Sequence, residues 1–203
     1  MNIIDSKFYG VIDKLSNLFI LNLFWLLSCI PIITIAPATS AMYSVIRQWK
    51  VNEDTSVVRN YFHYFKENFK QSISVGAIMT VLLSILFFNY FYLNQDATFM
   101  KIVMTVPVLL VSFLFLATFF YIFPLLSHYR LPIKTAIRNS LLLSMMNIHI
   151  TVLILAMFGL LSVILFYFPF TGIIIFSTAA LLHYSLCHRV FTKMDEANSV
   201  NIA

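Results

Sequence analysis

Charge is what this sequence has least of. Only 10% of its 203 residues are charged, while 61% are apolar. Mean hydropathy is +0.90. A soluble domain carries about a quarter charged residues, so this composition excludes a globule whose whole surface meets water. Glycine is scarce, with 4 residues, which excludes a collagen-like chain and argues against glycine-rich phosphate loops. The 2 cysteines, Cys29 and Cys187, form no CxxC pair and support no disulfide framework. So high an apolar content also excludes disorder. What remains is an all-α integral membrane protein of several spans, read as one membrane domain over 1–203.

A transmembrane helix needs about 20 apolar residues to cross about 30 Å of hydrocarbon. Stretches 15–46, 71–95, 102–129 and 139–188 contain no Asp, Glu, Lys or Arg. The last is long enough for two spans and breaks at Pro169 and Gly172. The expected spans are 15–36, 71–93, 102–126, 148–167 and 171–188. They are helices because backbone in lipid must satisfy its own hydrogen bonds. They lack the polar–apolar alternation of barrel strands.

Basic residues orient the bundle. Arg47, Lys50, Arg59, Lys66 and Lys70, then Arg130, Lys134 and Arg138, then Arg189 and Lys193 share one side if there are five spans. Lys7, Lys14 and Lys101 take the other. The positive-inside rule places the first group in the cytoplasm, with the C-terminus inside and the N-terminus outside. Pro31 and Pro37 leave an alternative open. A short helix over 38–49 that re-enters the membrane would bring the N-terminus inside and sharpen the charge asymmetry. A signal peptide ending near Ala38 to Ala41 is a third reading. The apolar run is longer than a signal core of about 7–15 residues, so an uncleaved anchor is preferred.

Three stretches suit the cytoplasmic interface: 38–49, 54–70 and 132–147. In the second, Val58, Tyr61, Phe62, Phe65 and Phe69 share a helical face, with Asn68 beside it and Asp54 as N-cap. A basic, aromatic amphipathic helix of this kind either meets anionic lipid or a partner, or simply connects two spans. At an offset of 79, Arg59, Asn60, Asn68 and Ala77 match Arg138, Asn139, Asn147 and Ala156, a weak internal repeat.

Chemistry-bearing residues are few within the spans. All 8 carboxylates lie outside them, which argues against ion-coupled transport. His183 and Cys187 are one turn apart, a spacing that can chelate metal, but no second tightly spaced pair accompanies them. No metal or cofactor is assigned. Ser72, Gly76, Thr80 and Ser84 form a small-residue stripe suited to helix packing. Asn17, Asn22 and Asn89 are candidates to bridge helices, and Tyr43 and Trp49 fit an inner aromatic belt. HExxH, GxSxG, Walker A and dinucleotide-binding signatures are missing, so no enzyme is expected. Membrane topology accounts for the basic balance without nucleic acid.

One segment, 22–43, is distinctive. Pro31, Ile32, Ile33, Thr34, Ile35, Ala36, Pro37, Ala38, Thr39 and Ala41 follow a pattern of Pro, two aliphatics, Thr, Ile, Gly, Pro, Ala, Thr and Ala. Tyr61-Phe62, the run from Phe65 to Gln71, and Phe123 to Leu126 extend the match. The chain thereby resembles the YesL-like family of bacterial membrane proteins, a family of unknown function, over nearly its whole length. It departs at Ala36, where the family more usually has Gly. The resemblance implies a multi-pass plasma-membrane protein of Gram-positive bacteria, associated with carbohydrate uptake or sensing. The reading is therefore a non-enzymatic accessory protein whose partners are the lipid bilayer and a carbohydrate ABC permease or membrane sensor kinase. The alternative is a small transporter whose site is the break at Pro31, Thr34, Pro37, Ala38, Thr39 and Ala41.

Overall fold

The computed structural model describes the backbone of residues 3–93 and 99–200, and the side chains of 10–92, 103 and 105–196. Lys7 and Lys101 of the charge tally, and the carboxylates Asp5 and Asp96, have side chains outside the described residues. Among the described residues the fold is helical, with no strand. The helices are α1 (Ile3–Ser28), α2 (Ile35–Val51), α3 (Val57–Leu93), α4 (Phe99–His128), α5 (Ile133–Met146), α6 (Ile148–Tyr167) and α7 (Gly172–Val200). Short 3-10 turns at Ile32–Thr34 and Pro169–Thr171 lead into α2 and α7.

Five segments are long and apolar enough to cross a membrane: Gly10–Ser28, Val57–Tyr92, Thr105–His128, Ile148–Tyr167 and Pro169–Glu196. Their outer faces are apolar and exposed, as hydrocarbon permits and water does not. Phe87, Leu109, Leu160 and Phe166 all stand on this wall.

Three boundaries differ from the sequence expectation. The first span ends at Ser28 rather than at 36, because Pro31 and the turn at Ile32–Thr34 stop the helix early. The stretch 54–70 is not a separate interfacial helix: residues 54–56 precede α3, and 57–70 form its first four turns, which continue unbroken to Leu93. No proline interrupts it, and backbone hydrogen bonding carries on where side-chain charge stops. The last helix, expected over 171–188, runs on to Val200.

The stretch 38–49 lies inside α2, and α2 is the hub of the bundle rather than a surface helix. Pro37, Ala38 and the run from Ser40 to Ile46 are all buried. It packs against α1, α3, α4 and α7. Small residues explain this: Ala38, Ser40, Ala41 and Ser44 let neighbouring backbones approach closely.

Antiparallel pairing of α2 with α3 follows from three contacts. Ala36 meets Gly76, Asn68 Nδ2 donates to Ser44 Oγ at 3.3 Å, and Gln48 bonds to Tyr64. A Cβ at Gly76 would lie 2.7 Å from the Cβ of Ala36, so only glycine fits there. Beyond Gly76, α3 runs on for about 25 Å to its end at Leu93. The turn between α1 and α2 thus sits beside the interior of a span, not at its far end. That depth suits its isoleucines: Ile30, Ile32 and Ile33 are 75%, 84% and 69% exposed.

Candidate functional site

The break at 31–41 spends its polar groups on its own backbone. Thr34 Oγ1 donates toward the Ser28 and Pro31 carbonyls, both at 2.6 Å. Thr39 Oγ1 donates to the Ile35 carbonyl at 2.7 Å and accepts from Trp25 Nε1 at 3.2 Å. The Ser28 carbonyl, freed where α1 stops, gains a donor in this way, as hydrocarbon demands, while the Thr39 bond is a back-bond within α2. Pro31 stands exposed at the turn, while Pro37, Ala38 and Ala41 are buried against neighbouring helices.

The aromatic face of 54–70 divides. Tyr61 is fully buried, stacked on Phe24 at 5.8 Å and on Phe65 at 6.2 Å. Phe62 is half exposed but still meets Phe24 edge-on. Phe65 and Phe69 are half-buried, with ring centroids 5.6 Å apart, and Asn68 reaches α2. The small-residue stripe divides as well. Ser72 is buried and Gly76 touches α2, whereas Thr80 and Ser84 are exposed and donate to the carbonyls of Gly76 and Thr80.

The densest polar network instead joins α2, α4 and α7. The Tyr43 hydroxyl, a better donor than imidazole, bonds to His183 Nδ1 at 2.6 Å. That leaves Nε2–H facing Cys187 Sγ at 3.5 Å. Phe120 and Phe158 close round the imidazole edge-on, at 6.0 and 5.3 Å. On the next residue of α7, Tyr184 Oη lies 2.8 Å from His128 Nδ1. Arg47 Nη1 donates to the Ser127 carbonyl at 2.6 Å, with the guanidinium 5.6 Å from the Tyr64 ring. His183 and Cys187 thus belong to a hydrogen-bonded stack, and among the described residues no three of His, Cys, Asp or Glu gather to hold a metal.

The same end is laced together at its rim. Gln71 Nε2 donates to the Leu131 carbonyl at 2.6 Å, and Arg130 pairs with Glu67 at 2.7 Å. The Tyr129 hydroxyl donates to Asp195 at 2.7 Å. Burial and that carboxylate both hold the Tyr129 phenol above its ordinary pKa. Asp54 accepts from Asn60 Nδ2 at 2.8 Å and from the Ser56 N–H at 3.0 Å, which keeps its carboxyl below the usual carboxylate range.

Of the three asparagines suspected of bridging helices, one does. Asn22 is fully buried; its Nδ2 donates to the Gly172 and Ile173 carbonyls at 2.9 and 2.6 Å, and its Oδ1 accepts from the Ser177 N–H at 3.0 Å. Asn17 bonds to Asp13 and Asn89 to the Ile85 carbonyl, each within its own helix. Tyr43, read as a belt residue, is buried in the core instead. Its small neighbours Ser40, Ala41 and Ser44 were the available signal, since only a packed helix keeps so many small residues on every side.

The family described as "Protein of unknown function, DUF624" matches residues 18–90, from the end of α1 through most of α3. The chain is similar to the uncharacterized protein YteU of Bacillus subtilis (strain 168), with 30% identity over 171 residues, covering 82% of this chain and 75% of YteU. From the same organism, YesL is 28% identical over 186 residues, covering 87% of this chain and 85% of YesL. YesV is 32% identical over 113 residues, 55% of this chain and 54% of YesV. No solved structure matches.

Proposed function

We propose a role for this chain from the premise that it belongs to the DUF624 family and carries five helices able to cross a membrane. It is a non-enzymatic accessory protein of the plasma membrane. It docks, within the bilayer, on a membrane protein of carbohydrate uptake or sensing, either a permease or a sensor kinase. Its basic end and C-terminus face the cytoplasm and its N-terminus lies outside.

The observation that carries this reading is where the molecule keeps its polar and its apolar surface. The hydroxyls of Thr34 and Thr39 in the 31–41 break donate to the chain's own carbonyls. The open surface between α3 and α4 is a groove of about 430 Å³ lined by Leu83, Leu86, Phe87, Tyr90, Leu109 and Phe115. Such a groove suits an apolar helix better than a polar solute. The link to carbohydrate rests on the family resemblance alone.

Affinity purification of the full chain from native membranes in mild detergent tests the reading. The expected result is stoichiometric copurification of a carbohydrate permease or a sensor kinase. Phe87→Ala with Leu109→Ala should lower its yield. Saturable sugar flux in liposomes holding this chain alone would overturn the proposal in favour of a transporter.

A further inference from the structure

We propose that His128 and His188 form an acid-released latch that holds the end of α4 against α7 at the basic end of the bundle. The two rings lie 5.6 Å apart. Tyr184 joins them: its hydroxyl is 2.8 Å from His128 Nδ1, and its ring stacks on His188 at 5.9 Å. Phe191 and Tyr129 close on His128 at 5.0 and 4.6 Å. The phenol is the better donor, so His128 Nδ1 accepts while the imidazole is neutral. A protonated His128 carries a hydrogen on Nδ1 and must donate, and the fully buried Tyr184 then loses the acceptor of its own proton. His188 Nδ1 is buried with no hydrogen-bond partner. A neutral imidazole can leave that nitrogen bare, whereas imidazolium places an N–H there with nothing to receive it. Either protonation strands a buried donor, so the closed contact keeps both rings neutral.

Charged groups approach the pair from α2 and α7. Arg47 of α2 donates to the Ser127 carbonyl beside His128. It already serves the negative end of α4, so an imidazolium there meets a like charge. Asp195 follows His188 by two turns of α7 on the same face, but it accepts from the Tyr129 hydroxyl, just beyond α4. Arg189 and Glu196 stand about 100° round the helix from His188 and Asp195. Acid thus opens the contact between the end of α4 and the last turns of α7. Cys187, fully buried one residue before His188, is uncovered with it. The inference goes beyond the accessory role and does not depend on any partner.

Native Cys187 reports the opening. The purified full chain carrying Cys29→Ser, in mild detergent, is treated with dithiodipyridine across neutral and acid pH. Each labelling rate is divided by that of N-acetylcysteine at the same pH. An imidazole that takes its proton only in the open state raises the open fraction about tenfold from pH 7.5 to pH 5.5. The pair should therefore raise the ratio about a hundredfold. His128→Asn with His188→Phe keeps an acceptor for Tyr184 and a ring to stack on it but cannot be protonated, so its ratio should stay flat. His63→Gln with His149→Gln, an equal loss of histidine at exposed positions, should keep the full rise. Should the first pair fail to fold, His188→Phe alone should cut the rise to about tenfold. The proposal is overturned if the ratio is flat with both histidines in place. It is equally overturned if the rise survives His128→Asn with His188→Phe, which would assign it to another group such as His183.

Discussion

The hydroxyl of Tyr43 on α2 lies 2.6 Å from Nδ1 of His183 on α7, and both side chains are buried. The bond ties the hub helix to the last helix across 140 positions of sequence. Removing one partner strands the other in an aromatic enclosure. Tyr43→Phe should therefore destabilise the protein by about 1–3 kcal/mol. Tyr43→Phe with His183→Leu should recover part of the loss, because no orphaned imidazole then remains. Thermal unfolding of the two single variants and the double variant measures this; strict additivity would deny the coupling.

Gly76 and Ala36 make a close approach between α3 and α2. Gly76→Ala should cost about 1–3 kcal/mol through overpacking. Ala36→Gly on the same chain should restore most of that loss, since it removes the opposing methyl. A Gly76→Ala variant as stable as wild type would mean that the helices pack further apart.

Asn22 fastens α1 to the start of α7 through the Ile173 carbonyl and the Ser177 N–H. Asn22→Leu preserves volume but leaves these groups with one partner fewer. A loss of about 1–3 kcal/mol is expected, together with faster amide exchange at Ser177. Unchanged exchange there would show that the bridge does not hold the turn.

Asp54 lies three residues before α3 rather than at its N-cap, and Asn60 and Ser56 hold its carboxylate below the ordinary pKa. A depressed folded-state value means that the ionised form stabilises the fold. The contribution is complete above the unfolded-state value of 3.8 and fades as pH falls through the lower folded-state value. Asp54→Asn should therefore flatten the acid limb of a stability-against-pH curve, leaving a smaller difference from wild type at pH 3 than at pH 6.

The helices were legible because hydrocarbon asks one simple thing of a sequence, a long run without charge, and 71–95 or 102–129 answers it directly. The proline break was legible for the same kind of reason, since Pro31 removes a donor wherever it sits. The continuity of α3 was not. Lys70 and Gln71 mark a change of solvent, and a helix passes through such a boundary without breaking.

Chain chemistry by itself determined the medium, the helical class, the number of long apolar segments and the end that gathers positive charge. Each depends on transfer between water and hydrocarbon, which acts on a residue wherever its neighbours lie. Tertiary structure alone decided that α2 is the hub, that Tyr43 reaches His183, and that Asn22 ties α1 to the start of α7. These depend on which face of one helix meets another. Inside a bilayer, lipid tails and apolar side chains are nearly equivalent surroundings, so hydropathy carries no instruction about the neighbour. Close packing of small residues and a few buried hydrogen bonds, between positions far apart in sequence, make that choice.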